Sequence, residues 1–268
     1  MSWATHDVEP YVIRRHVERL ERKLGFTISF MAILIGSWFP DMATKWLVYG
    51  INIGPWDIYA DDPAKFHRGW PGVGFTHSLM YGVVVALVFY LLTRKKSWSK
   101  VWAVGLLLGI WAHVLSDTLD SNGVMLFFPF SLEHVHFDVW AYAGETGRYR
   151  DGAAYFSSFG FVWDGFWIAM VLLNWKVLKA DYFRSRVAID PFWGFVNRKL
   201  HVPHDALLVI YRGAFFYGVA RWTSWLIWVH VTHSNPMDLT LGGPYWVPPF
   251  ETLLPMLGGG GCPCGLPH

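Results

Sequence analysis

The chain has little charge for its length. Asp, Glu, Lys and Arg make up 16% of its 268 residues, against about a quarter in an ordinary soluble domain. So low a share argues against a soluble fold. The formal net charge of +2 is too small for a nucleic-acid surface, and no compact block of Lys and Arg is interleaved with aromatics, so no nucleic-acid partner is expected. Cysteine is almost absent. Cys262 and Cys264 flank Pro263, and a bridge between them would close too tight a ring, which leaves no structural disulfide and no redox compartment to assign. The first apolar run starts after a charged stretch and no small-residue cleavage site follows it, so no removable signal peptide is expected.

What the chain has instead is apolar and aromatic. It is 53% hydrophobic, with 17 Trp, 12 Tyr and 20 Phe, and its mean hydropathy is +0.28. Aromatic rings near the ends of apolar runs are the usual anchors at a membrane–water interface. The composition predicts an all-α integral membrane protein.

Apolar runs fall at roughly Phe26 to Val48, Gly72 to Leu92, Val101 to Leu119, Ser158 to Trp175 and Gly213 to Val231. Each approaches the length of about 20 residues that spans hydrocarbon, which gives about five transmembrane helices. Before them, Tyr11, Val12, Val17, Leu20 and Leu24 alternate with Arg14, Arg15, Arg19, Arg22 and Lys23. That pattern suits an amphipathic helix lying in the interface. The chain thus divides into an N-terminal amphipathic cytoplasmic segment (1–25), a polytopic membrane domain (26–231) and a Gly/Pro-rich tail (232–268).

Charge placement sets the orientation. The basic residues near Arg14 to Lys23, Arg94 to Lys100 and Lys176 to Lys199 all fall on one side of a five-span arrangement, and that side is cytoplasmic. The N-terminus is then cytoplasmic and the C-terminus extracytoplasmic. The bilayer is the first expected partner. A partner subunit of a larger membrane complex, contacting the Gly/Pro-rich tail, is the second.

Within the apolar runs sit polar residues that hydrocarbon tolerates only for a reason. At a rise of about 1.5 Å per residue, Asp41 lies roughly 10 Å below the outer end of the first span, His77 roughly 8 Å into the second, and His113 and Asp117 roughly 9 and 3 Å below the end of the third. His113, Asp117 and Asp120 follow i, i+4, i+7 spacing and share one helical face. Taken singly, each fits a buried hydrogen bond or an ion pair such as Asp41 with Lys45. Taken together, with His67 and Arg68 alongside, they form an outward-facing site. Imidazole and carboxylate ligands suit a divalent metal, zinc first, with manganese or iron as alternatives.

The order Phe39-Pro40-Asp41, His67-Arg68-Gly69, Thr76-His77-Ser78-Leu79, His113 to Asp117, Asn122-Gly123 and Phe128-Pro129-Phe130-Ser131 resembles the membrane-bound metal-dependent hydrolase family of bacteria, whose best-known branch is a LexA-regulated inner-membrane protein. The likeness covers about Ile35 to Ser131. It implies the bacterial inner membrane, a metal set of Asp41, His67, His77, His113 and Asp117, and hydrolysis carried by Asp41, Asp117 and Arg68. Where that family reads Pro-Asp-x-Asp-His, this chain has Pro40-Asp41-Met42-Ala43-Thr44. An early His in the first membrane segment is not apparent either, since His16 lies in the charged stretch. The departures imply one ion instead of two, or none.

Two functions follow as expectations. One is a membrane-embedded hydrolase acting on an ester or phosphoester of a lipid or other amphiphile. The other is a non-catalytic accessory subunit that keeps a degenerate hydrolase scaffold. Beyond the core set, His134, His136 and Asp138 alternate in the outer connection as a solvated loop would. Asp164 is expected to pair with Arg221, and His230 and His233 to sit at the interface.

Overall fold

The computed structural model describes residues 4–48, 51–53, 56–58, 63–137, 139 and 160–227. The tail with Cys262 and Cys264, and also Asp138, His230 and His233, lie outside the described residues. The architecture is mostly helical: α1 (Thr5–His16), α2 (Glu18–Leu24), α3 (Phe30–Val48), α4 (Pro63–Arg68), α5 (Leu79–Thr93), α6 (Ser99–Asp117), α7 (Gly160–Leu173), α8 (Pro191–Leu200) and α9 (His204–Ile227). One antiparallel hairpin, β1 (Ile51–Ile53) with β2 (Trp56–Ile58), pairs Ile51 with Ile58.

The N-terminal stretch divides: α1 is buried in the bundle, whereas α2 leaves Leu20 and Leu24 exposed. Val8, Glu9, Tyr11 and Arg14 of α1 are fully buried, and α1 packs against α3, α6, α7 and α9. Its amphipathic pattern is satisfied inside the bundle: Val8 and Tyr11 join Phe30, Val171, Tyr211 and Phe215 in the main apolar core. The charges on α1 follow the helix dipole, with Asp7 in the first turn and Arg14, Arg15 and His16 in the last. The buried Arg14 guanidinium lies 2.9 Å from Glu21 and donates to the Arg186 carbonyl at 3.1 Å. α2 ends at Gly25, which takes the left-handed conformation that glycine allows at a helix end.

The pairing of α3 with α6 is the most extensive among the described residues, and glycine makes it possible. A Cβ on Gly109 would sit 2.1 Å from the Ile33 carbonyl oxygen, and one on Gly36 2.5 Å from the Leu106 carbonyl oxygen. Small residues let membrane helices approach to backbone contact. A smaller core of Ile110, Val114, Val124 and Leu126 closes the far end of α6.

Among the described residues one helix, Ser99–Asp117, is long and apolar enough to cross a membrane; Phe30–Met42, Leu79–Thr93 and Gly160–Leu173 are apolar but shorter. Of the five apolar runs expected to span, the one in Ser99–Asp117 alone meets both criteria among the described residues. The second run loses its first turns because Gly72 and Gly74 press against the Phe66 and Arg68 backbone, and Gly74–His77 winds as a 3₁₀ turn. α9 is long but carries His204, Asp205, Arg212 and Arg221. The outer face of α5, with Val84, Leu87, Val88, Leu91 and Leu92 exposed, suits hydrocarbon solvent.

Candidate metal centre

Five short segments deliver the polar side chains. α3 supplies Asp41 and Thr44, α4 His67 and Arg68, the 3₁₀ turn His77, and α6 His113 and Asp117. The fifth is α1. It brings His6 and Glu9, which lie outside the ligand set expected from the sequence.

The sequence-derived residues come together. His67 Nε2 lies 3.3 Å from Asp41 Oδ1 and His77 Nε2 3.6 Å from the same oxygen. His113 Nε2 is 3.8 Å from Asp41 Oδ1 and 3.1 Å from Asp117 Oδ2, which His77 Nε2 approaches to 3.7 Å. His6 Nε2 reaches Asp117 Oδ1 at 3.6 Å, and its ring stacks on that of His113 with centroids 3.8 Å apart. Two sets of three therefore hold their ligand atoms within 4.8 Å: Asp41 with His67 and His77, and Asp117 with His6 and His113.

Each ring is turned by a bond on its other nitrogen. His113 donates Nδ1–H to the Ser37 carbonyl at 2.6 Å. The Thr44 hydroxyl points its proton at the Pro40 carbonyl, so its oxygen accepts from His67 Nδ1 at 3.0 Å. The Thr76 hydroxyl donates to the Val73 carbonyl and accepts from His77 Nδ1 at 3.0 Å. The Glu9 carboxylate accepts from His6 Nδ1 at 3.3 Å. With Nδ1 committed as the donor, each Nε2 is left to hold either a proton or a metal ion, and all four face carboxylate oxygens.

That arrangement tests whether a metal fits. A ring nitrogen opposite a carboxylate calls for a proton or a metal ion between them, and Nε2 of both His77 and His113 is turned to carboxylate oxygens in this way. The group is deeply buried: His67, His77 and His113 are 0% exposed and Asp117 1%. Imidazoles oriented by carbonyl, hydroxyl or carboxylate acceptors are the usual outer support of metal ligands. The donor set fits a divalent ion.

Arg68 and Asp120 play a different part. Arg68 is fully buried, 2.7 Å from Asp117 Oδ2 and 3.5 Å from Asp120 Oδ2. α6 ends at Asp117, so Asp120 leaves the helical face expected for it. Its Oδ1 accepts from the Asn122 and Gly123 amides at 3.1 and 2.7 Å, which fixes the turn after the helix.

All the site residues lie in the part of the chain that matches a known family. The family described as YdjM inner membrane protein matches residues 1–183. The chain belongs to the YdjM inner membrane protein family. The match runs from α1 to the turns after α7, so the YdjM region contains every ligand above, His6 included, while α8 and α9 fall beyond it. Family membership places the protein in a membrane. No curated protein and no solved structure matches the chain.

Other sequence expectations resolve differently. Arg221 pairs with Asp7 of α1, and Asp164 turns its Oδ1 to the first turn of α1. His134 donates to the Asn122 carbonyl beside the bridge between Val124 and Val135, and His136 is exposed. His6 and Glu9 carried one readable signal, an i, i+3 polar pair on the side of α1 adjoining Val8 and Val12.

Proposed function

We propose that the protein is a membrane-embedded metal-dependent hydrolase with two adjoining ion sites, one formed by Asp41, His67 and His77 and the other by His6, His113 and Asp117. The observation that carries this reading is the common orientation of the four imidazoles, with Nδ1 committed to an acceptor and Nε2 turned inward. Zinc suits the ligands best, with manganese or iron as alternatives. When bound, such ions polarise an ester or phosphoryl oxygen and lower the pKa of water.

The protein's own residues divide the remaining work. Asp41 is 13% exposed while the rings around it are buried, so water and substrate enter on its side, and it is the carboxylate placed to accept the proton of an attacking water. Arg68 lies behind Asp117 and offsets the negative charge that Asp117 and Asp120 bring to the buried centre. A centre buried at the end of membrane helices suits an ester or phosphoester of a lipid or other amphiphile.

Two findings weigh against the accessory-subunit reading. Thr44, where the family pattern has His, holds the His67 ring in place, and His6 adds an imidazole from α1. The test is direct. Protein purified in mild detergent is analysed for metal, then incubated with phospholipid vesicles with and without chelator, and released headgroup is measured. Metal at about two ions per chain, with chelator-sensitive release restored by zinc, supports the reading. A metal-free protein that stays so after zinc addition sinks it.

A further inference from the structure

The first turn of α1 is a buried helix end with no cap of its own. Ala4, at the capping position, has no side-chain acceptor, and unsatisfied amides at a buried helix end are costly. Asp164 of α7 fills the role from 160 residues away. Its Oδ1 accepts from the Ala4 amide at 3.1 Å, the Thr5 amide at 2.6 Å and the Thr5 hydroxyl at 2.7 Å. The carboxylate is fully buried, and its charge sits at the positive end of the α1 dipole.

The residue after this anchor is His6. Holding Thr5 fixes both the height and the rotation of α1, and with them the ring stacked on His113 and aimed at Asp117. We infer that Asp164 is a positioning residue for the His6, His113 and Asp117 half of the metal centre. This rests on the two-ion reading above. The other half, Asp41 with His67 and His77, is built from α3, α4 and the 3₁₀ turn and takes no ligand from α1. Asp164 therefore governs one ion site and not its neighbour.

Zinc binding to the full-length protein in detergent tests this, with Asp164→Ala, Asp164→Asn and, as a control weakening the core elsewhere, Trp193→Leu. Trp193 is buried against Phe183. Asp164→Ala is expected to keep one site at wild-type affinity and weaken the other by about 10- to 100-fold, the usual cost of losing an outer-shell support. Asp164→Asn keeps an acceptor oxygen and restores the second site. Trp193→Leu lowers the melting temperature and leaves both sites intact.

A second readout needs no metal: carbethoxylation of histidines, mapped by mass spectrometry. Asp164→Ala is expected to make His6 reactive while His67, His77 and His113 stay protected. Two zinc sites of wild-type affinity with His6 still protected would overturn the inference, as would parallel loss of both sites. If wild-type protein binds no zinc, the hydrolase reading fails and His6 reactivity alone decides whether Asp164 positions the ring.

Discussion

His113 of α6 donates its Nδ1–H to the Ser37 carbonyl of α3 across 2.6 Å. The backbone of one helix thereby decides which nitrogen of the other helix faces Asp117, 3.1 Å away. A carbonyl can only accept, so Nδ1 carries the proton and Nε2 is the nitrogen left for Asp117 or a metal ion. Pro40, one turn along α3, has no N–H to offer the Gly36 carbonyl. The helix is thus loosened at the level where it meets the centre.

Replacing His113 removes a ligand outright. His113→Ala is expected to weaken one zinc site by more than about 100-fold, since even outer-shell changes reach that size. The Asp41, His67 and His77 site should lose far less. Titration against a competing chelator reads both sites. Equal affinities in mutant and wild type would remove His113 from the ligand set.

Thr44 gives a gentler test of the other half. Thr44→Val keeps the shape but deletes the oxygen that accepts from His67 Nδ1, so the ring is free to turn or change tautomer. Zinc affinity at the Asp41, His67 and His77 site should fall by about 10- to 100-fold, and Thr44→Ser should recover most of it. No change in Thr44→Val would mean that packing alone holds His67.

Asp41, His67, His77, His113 and Asp117 were legible in the sequence because each is a polar residue in or beside an apolar run, where its cost demands a function. His6 was not. It precedes every long apolar run, and the α1 residues around it have distant partners: Ser37 and Ser116 on Glu9 and Asp164 on Thr5. Such contacts are invisible to local periodicity. An amphipathic helix looks the same whether its apolar side meets lipid or the inside of a bundle, so burial of Val8 and Tyr11 needed the tertiary fold. The second apolar run is shorter as a helix than hydropathy suggests for a local reason, since Gly72 and Gly74 turn the chain back over α4.

Arg68 carries the charge balance of the buried centre. Arg68→Met leaves Asp117 and Asp120 without the guanidinium that lies 2.7 and 3.5 Å from them. Removing one partner of a buried pair costs about 3–5 kcal/mol. Denaturant unfolding in detergent should show a loss of that size in chelator, partly recovered by zinc, whose charge offsets Asp117. A loss below about 1 kcal/mol would place these carboxylates in effective contact with water.

Gly109 ties the packing of the bundle to the chemistry of the centre. An added Cβ would meet the Ile33 carbonyl oxygen at 2.1 Å and the Ser37 amide nitrogen at 2.7 Å, both backbone atoms that cannot swing aside. Gly109→Ala therefore has to push α3 away from α6, at a cost of about 1–3 kcal/mol for overpacking. The same displacement lengthens the bond from His113 to the Ser37 carbonyl, so zinc affinity at the His6, His113 and Asp117 site should fall together with the melting temperature. Gly213 supplies the control: a Cβ there meets nothing within 4 Å, and it lies in the helical interior of α9. Gly213→Ala should be neutral or stabilising by up to about 1 kcal/mol, with zinc binding unchanged. If Gly109→Ala lowers the melting temperature and leaves zinc affinity at the wild-type value, the close approach of α3 and α6 serves stability alone, and the ring of His113 is held by its neighbours on α6.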